Sequence, residues 1–314
     1  MRTNFRLSKR GAAVALLAVI AAPGVAPAAV FSQAVLNITN FTFRVGNNNG
    51  TLGSAILPGG PISVTGITVT ADRTADLTGV GNASVGGAGT TCFGACTTFN
   101  ANAYAQVVGA PTSTYVGSAV ELSSNPLIPA GSGATARTGA AVSLDPGGDG
   151  TASGTYDLNL DFDVLVGSAG TRLEVAFDAT SILRAYLDGP GTATASNTWT
   201  VTMRSAANNA LVFSYNGQGG AIGGTVYSNP FLLSDSVSTT LAGDVNLGIQ
   251  SGNFHAETGM LAAGSYKLSL RQTSLADGFQ RVPDVVQVPE PASLSLVGLA
   301  LVGAGAGRLR RRRA

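Results

Sequence analysis

Hydrophobic and polar residues alternate along much of the chain between residues 29 and 281, and this pattern predicts an all-β body. The clearest example is the segment 156–166, in which apolar residues occupy every second position. Eleven residues with a period of two indicate a strand with one buried face and one solvated face. The solvated positions of this strand are Asp157, Asn159, Asp161 and Asp163.

Weaker alternation predicts further strands and the turns between them. Because residues 167–170 are turn formers, we expect strand 156–166 and the next strand, 173–177, to form a β-hairpin, with Arg172 or Arg184 offsetting the carboxylate row. A second hairpin is expected around residues 206–209. A change of parity at Thr65-Gly66 predicts a β-bulge.

Two segments give no clear prediction of secondary structure. Residues 178–188 fit either a short helix or a strand, since their apolar spacing is helical but they lie between β segments. Residues 71–139 fit short strands, long loops or disorder. Many short strands with glycine-rich turns nevertheless favour a β-sandwich or jelly-roll-like fold. The roughly 250 residues of the body are enough for one sizeable core or two small ones.

The N-terminal segment has the features of an export signal. Four basic residues precede an apolar run at 11–22, and Ala26 and Ala28 place small residues at the two positions that signal peptidase reads. Residues 1–28 are therefore predicted to be a Sec-type signal peptide that is cleaved after Ala28. An uncleaved N-terminal anchor is the alternative.

The C-terminal segment has three parts after a linker at 282–288. Pro289, Glu290 and Pro291 come first, and an apolar run at 292–307 follows. As a helix, this run would span about 24 Å, somewhat less than the roughly 30 Å hydrocarbon core of a bilayer. Basic residues favour the cytoplasmic side, so the run is predicted to be a transmembrane helix with a membrane stop at its end. The stop consists of Arg308, Arg310, Arg311, Arg312 and Arg313.

The order Pro-Glu-Pro, apolar helix and arginine cluster in residues 289–314 resembles the PEP-CTERM sorting domain. The resemblance implies that a membrane enzyme, exosortase, recognises the motif and removes the tail, in a Gram-negative bacterium that makes exopolysaccharide. The same type of tail is also called an ice-binding protein C-terminal domain. The body around Phe177 and Trp199 is weakly similar to exosortase-dependent surface proteins. The alternative interpretation is an ordinary tail anchor that follows a proline turn.

The charge of the body differs from that of the whole chain. Nine of the 18 basic residues lie in the two end segments, whereas sixteen of the 17 acidic residues lie between them. The body therefore carries a net charge of about −7. An acidic body argues against nucleic acid or anionic lipid as a partner.

The two cysteines, Cys92 and Cys96, are separated by three residues that include Gly94. In an exported protein this spacing favours a local disulfide. Metal ligation is the rival, but two thiols without a neighbouring histidine cannot complete a tetrahedral site.

Four sets of residues are candidates for chemistry in the body. Asp157, Asp161 and Asp163 are weak candidates for calcium ligands, with a solvated strand face as the alternative. Threonines at alternate positions could order water, as ice-binding surfaces do; they are Thr68, Thr70, Thr198, Thr200 and Thr202. His255, the only histidine, lacks a triad motif and is expected in a surface loop. A polysaccharide hydrolase would need paired carboxylates, and the glutamates of the body are Glu121, Glu174 and Glu257.

These observations favour a non-enzymatic exported surface or extracellular-matrix protein, associated with exopolysaccharide or biofilm. We expect no cofactor and no catalytic residue. The precursor would be anchored in the inner membrane, and its partners would be signal peptidase, exosortase and exopolysaccharide. A glycan- or calcium-binding β-sandwich module is the alternative, followed by a secreted hydrolase or an ice-binding protein.

Overall fold

The computed structural model describes residues 29–110, 112–123, 134–145 and 150–281, and they form two antiparallel β-sheets packed face to face. The prediction of an all-β sandwich is confirmed. The predicted signal peptide at 1–28, the linker at 282–288 and the sorting tail at 289–314 lie outside the described residues.

The described residues contain sixteen strands and one short helix. The strands are β1 Val30–Val45, β2 Ser54–Ala55, β3 Ile62–Leu77, β4 Gly81–Gly86, β5 Gly89–Gly94, β6 Tyr115–Ser123, β7 Ala134–Leu144, β8 Gly150–Val166, β9 Leu173–Leu187, β10 Gly191–Ser205, β11 Leu211–Tyr215, β12 Ala221–Ile222, β13 Gly224–Ser228, β14 Asp235–Thr239, β15 Gly243–Thr258 and β16 Gly264–Gln280; the helix is α1 Cys96–Asn102.

Each sheet has eight strands. Sheet I has the order β13-β15-β9-β1-β7-β6-β5, and β2 pairs with β1. Sheet II has the order β12-β11-β10-β16-β8-β3-β4, and β14 pairs with β10. The central strands are 15 to 17 residues long, so the two sheets face each other over most of the length of the body.

The core between the sheets follows from the alternation seen in the sequence. The apolar residues of β8, β10 and β16 point inward and meet those of β1 and β9. Aromatic rings fill one half of this core: the Phe177 ring centroid lies 4.7 Å from that of Trp199 and 5.2 Å from that of Phe254. Alanine and valine dominate the other half.

A buried polar seam joins the two sheets between these halves. The Asn197 side chain donates to the carbonyl oxygen of Val35 (2.8 Å) and to the Ser181 hydroxyl (3.0 Å) in sheet I. The Gln272 amide donates to the carbonyl oxygen of Leu36 (2.7 Å) and to the Thr138 hydroxyl (2.8 Å). Buried polar groups are costly unless paired, so this seam favours a single register between the sheets.

Residues 95–110, here called the α1 cover, lie across part of the outer face of sheet I. Phe99 and Ala103 of this segment pack against Phe31, Tyr115, Ala119 and Ala141. The Gln33 side chain donates to the carbonyl oxygen of Ala105 (2.7 Å) and accepts from the Val107 N–H (3.0 Å). Because of the cover, β1 is buried on both faces near its start.

The sequence predictions of local structure meet different outcomes. The bulge at Thr65-Gly66 is confirmed by a register shift between β3 and β8, and the hairpin at 206–209 is confirmed by the pairing of β10 with β11. Residues 178–187 are strand. The hairpin of segments 156–166 and 173–177 was a wrong prediction, because β8 lies in sheet II and β9 in sheet I. Alternation shows that a strand is half-buried, but it does not show which strand pairs with it.

Candidate functional site

The outer face of sheet II is polar and uncovered over β3, β8, β16 and β10; we call it the bare face. Cross-strand registers align outward residues into rungs, for example Thr70, Asn159, Arg271 and Thr200. Neighbouring strands are about 4.8 Å apart, so each rung presents hydrogen-bonding groups at that interval. The bare face is therefore a broad surface that presents polar groups to solvent.

The three aspartates of β8 lie on this face, and each is bonded to a residue of β16. Asp163 pairs with Lys267, and Asp161 accepts from the Ser269 hydroxyl. Asp157 accepts from the Thr273 hydroxyl. The expectation that Arg172 or Arg184 offsets this row was wrong, because both arginines lie on the side of sheet I.

This pairing bears on the calcium hypothesis. No group of three or more His, Cys, Asp or Glu side chains suited to hold a metal ion occurs within residues 29–110, 112–123, 134–145 and 150–281. The three aspartates follow one strand and engage separate partners along β16, rather than converging on one point as calcium ligands do. The arrangement is that of a solvated strand face.

The threonine rows lie on the same face but do not form one array. Thr198, Thr200 and Thr202 face outward on β10, whereas Thr68 and Thr70 are on β3. The outward residues of β16 and β8 separate the two rows, and they are mainly charged or carboxamide side chains. An uninterrupted threonine surface is therefore not present on the bare face.

A buried carboxylate cluster on the outer side of sheet I was not predicted. Glu174 of β9 and Glu257 of β15 are directly opposite in register, and both side chains are 0% exposed. His255, two residues earlier in β15, points to the same side and is 7% exposed. The expectation of a surface-loop histidine was wrong: although His255 points away from the core, another part of the chain covers it.

The covering segment is the loop at residues 46–53, which the carboxylates hold by its backbone. The Gly53 N–H donates to Glu174 Oε2 (2.8 Å), and the Asn48 N–H donates to Glu257 Oε2 (3.1 Å). A Cβ atom on Gly46 would lie 2.5 Å from Glu257 Cδ, so glycine is needed for this close approach. The loop therefore seals the cluster from solvent.

Two basic side chains lie beside the two carboxylates. Arg172 Nε lies 3.4 Å from Glu257 Oε1, and His255 Nε2 lies 3.3 Å from Glu174 Oε2. The Tyr227 ring packs against His255, with centroids 4.9 Å apart. Burial, and then the nearby Glu257 carboxylate, raise the pKa of Tyr227. The cluster has the residue types of an acid–base site. In this conformation, however, the 46–53 loop covers the carboxylates, so a polymer cannot reach them.

Arg184 is a second buried ionic residue that sequence reasoning misplaced. Its guanidinium is 2% exposed, pairs with Asp244 (2.9 Å), and donates to the carbonyl oxygens of Val107 and Gly109 (2.8 Å each) in the α1 cover. A lone arginine flanked by Leu183 and Ala185 in an apolar run is the signal that could have indicated burial.

The remaining sequence candidates are dispersed. Cys92 and Cys96 form a disulfide where the α1 cover leaves β5, with Cα atoms 5.7 Å apart. Trp199 is 0% exposed in the core, and Glu121 is exposed and pairs with Arg137 (3.4 Å). Candidates in the two ends lie outside the described residues; they are Ala26, Ala28, Pro289, Glu290, Pro291, Arg308, Arg310, Arg311, Arg312 and Arg313.

Together, these features define a class of protein. It is a β-sandwich with one bare polar face and one covered face, on which ionic groups hold the α1 cover and the 46–53 loop in place. Residues 287–312 match the family model of the PEP-CTERM protein-sorting motif, so the chain carries a PEP-CTERM sorting tail. The motif implies export to the cell surface through a membrane-anchored precursor, with exosortase as the processing partner.

The family model matches residues of the tail, and it does not extend into the body. No curated protein and no solved structure in the comparisons matches the chain. No helix in the described part of the chain is long and apolar enough to cross a membrane. The role of the body must therefore be argued from its own surfaces.

Proposed function

We propose that the protein is a non-enzymatic component of the cell surface or extracellular matrix, and that its bare face contacts the exopolysaccharide of a biofilm. The observation that carries this proposal is the bare face itself. Its rungs combine hydroxyl, amide and guanidinium groups, which hydrogen-bond to sugar hydroxyls and their water without a deep pocket. The sorting tail supports the location.

The setting of the glutamates supports a role without catalysis. A glycosidase needs two carboxylates on either side of an accessible glycosidic bond. Glu174 and Glu257 are the two that lie together, and both are sealed beneath the 46–53 loop. Trp199, which could otherwise stack on a sugar ring, is in the core. We expect the exported protein to release no reducing sugar from the polysaccharide of the cell that makes it.

The bare face can be tested by its binding to polysaccharide. Protein recovered in its exported form should co-sediment with the exopolysaccharide of the same cells. The double variant Asn159→Ala, Arg271→Ala removes the centre of one rung and should weaken this binding at least about fivefold, the equivalent of one or two hydrogen bonds.

The matched control is the double variant Asn253→Ala, Arg137→Ala on the outer side of sheet I, which also removes one carboxamide and one guanidinium. It should bind as the wild type does. Equal losses in the two double variants, or no co-sedimentation of the wild type, would contradict the role of the bare face.

The sorting step has a separate test. Pro289→Ala with Pro291→Ala should leave an unprocessed precursor in the inner membrane, because the extended strip before the apolar run is lost. Pro283→Ala, a proline change just outside the motif, is the control and should be processed normally. The intact mass of the surface and membrane fractions distinguishes the two, and normal processing of the double variant would refute the role of the motif.

A further inference from the structure

The loop that seals the carboxylate cluster contains the sequence Asn47-Asn48-Asn49-Gly50-Thr51. A glycine after an asparagine leaves its backbone nitrogen unhindered, so the asparagine side chain can cyclise onto it. Asn49 and Gly50 are exposed, and the Gly50 N–H donates no hydrogen bond to the described residues. Gly50 also has a φ of 77°, in the region that favours glycine.

Hydrogen bonds within the loop prepare the Asn49 side chain for attack. Its Oδ1 accepts from the Thr51 N–H (2.9 Å) and from the Thr51 hydroxyl (2.6 Å). The Asn47 side chain in turn donates to the Thr51 hydroxyl (3.0 Å). The first bond closes an Asx turn around the Gly50 peptide, and the two donors stabilise negative charge as it develops on Oδ1.

We propose that Asn49 is a self-modification site whose reaction releases the 46–53 loop from the carboxylate cluster. The Gly50 nitrogen bonds to Asn49 Cγ, the bond from Cγ to Nδ2 breaks, and ammonia leaves with the proton lost by Gly50. Water then opens the cyclic imide at either carbonyl. One opening leaves an aspartate, and the other leaves an isoaspartate with an additional carbon in the backbone.

The second asparagine–glycine pair of the chain, Asn216-Gly217, provides an internal contrast. The Gln218 N–H also bonds to Asn216 Oδ1 (3.1 Å), but the backbone around it is anchored. The Leu233 N–H donates to the carbonyl oxygen of Gly217 (3.1 Å), and the Ser234 hydroxyl reaches the carbonyl oxygen of Asn216 (3.0 Å). Cyclisation there requires the backbone to turn and break these bonds.

The product at residue 49 weakens the hydrogen bonds between the 46–53 loop and the carboxylate cluster for two reasons. Either product adds a negative charge beside a cluster that already contains Glu174 and Glu257. Isoaspartate also lengthens the backbone between two fixed points, the Asn48 N–H on Glu257 and the Gly53 N–H on Glu174. Gly46 and Gly53 leave no space to absorb the change, since a Cβ on Gly53 would lie 1.9 Å from the carbonyl oxygen of Val45.

The first measurement compares the two sites in one sample. The purified exported protein is incubated in ammonia-free buffer at neutral pH and about 37 °C, below the melting range of ordinary mesophile domains, and the conversion of each asparagine is followed by peptide mapping. Asn49 should convert at least about tenfold faster than Asn216, because the two hydrogen bonds that anchor the backbone at Asn216 and Gly217 must break first. Equal rates, or a faster rate at Asn216, would overturn the proposal.

Thr51→Val tests the polarising hydroxyl, and its side chain has nearly the same shape. It should slow conversion of Asn49 about fivefold, the equivalent of one hydrogen bond, and leave Asn216 unchanged. If Asn49 converts at the wild-type rate in this variant, the hydrogen-bond arrangement does not drive the reaction, and the proposal fails.

Release of the loop has its own readout. Hydrogen exchange of residues 46–53 should rise as conversion proceeds in the wild type, while Asn49→Gln, which does not form the five-membered ring, keeps its initial protection over the same time. Converted protein with an unchanged loop would refute the release. Loosening of Asn49→Gln to the same extent would refute its dependence on the modification.

Discussion

The outer faces of the two sheets place similar acidic residues in opposite settings. On sheet II, Asp161 and Asp163 are exposed and bond to neighbouring strands on a face that nothing covers. On sheet I, Glu174 and Glu257 are fully buried and bond to the backbone of a loop folded over them. The bare face leaves its polar groups open to solvent, whereas the ionic groups of the covered face fasten parts of the molecule to each other.

The difference has an energetic consequence. Exposed ion pairs contribute about 0–1 kcal/mol, since water solvates their members whether or not they are paired. Removing one member of a buried, hydrogen-bonded set leaves its partners unsatisfied and costs about 3 kcal/mol or more. Substitutions on the covered face should therefore reduce stability, and substitutions on the bare face should mainly reduce binding.

The largest effect is expected for Arg184→Met. This change keeps the apolar stem but removes the donors to Val107 and Gly109, so the α1 cover loses its anchor. We expect a loss of about 3 kcal/mol in the free energy of unfolding by urea. The control is Arg137→Met, which breaks the exposed pair with Glu121 and should cost less than about 0.5 kcal/mol. Similar losses in both variants would remove the distinction between buried and exposed ionic groups.

A smaller effect is expected from loss of the disulfide. Replacing both Cys92 and Cys96 by serine opens a five-residue ring, which corresponds to about 2 kcal/mol in the chain-entropy model. The loss should be local, with faster proteolysis within residues 95–110 and unchanged hydrogen exchange in sheet II. Exchange that rises equally in both sheets would show that the cover is not an independent part of the covered face.

The sequence is informative about strands and their buried faces, because alternation depends on local spacing alone. It predicted β8, the hairpin of β10 and β11, and the bulge at Thr65-Gly66. The pairing of β8 with β16 rather than β9, and the burial of His255, depend on residues far apart in the chain. A charged residue within an apolar strand, such as Arg184, signals burial without identifying the segment that covers it.

An effect of about 1 kcal/mol is expected at alkaline pH for Tyr115, which lies beneath the α1 cover against Phe99. Burial raises the pKa of Tyr115 to about 12, so the folded state retains the phenol proton above the ordinary pKa of 10.0. This contribution is complete below pH 10 and is lost progressively as the pH rises toward 12. Between pH 9 and pH 11, Tyr115→Phe should lose about 1 kcal/mol less stability than the wild type. Parallel pH profiles would show that the phenol is solvated.

The smallest effect is expected for Asp161→Asn on the bare face. The amide still accepts from the Ser269 hydroxyl, and the lost charge is exposed to water, so the free energy of unfolding should change by less than about 0.5 kcal/mol. The same carboxylate-to-amide change at the buried Glu257 should cost about 2 kcal/mol, because it leaves the half-buried Arg172 without its anion. Addition of millimolar calcium should raise the melting temperature of neither the wild type nor Asp161→Asn. If calcium raises the melting temperature of the wild type and Asp161→Asn abolishes this rise, the aspartate row is a cation site. The bare face would then bind ions in preference to polymers.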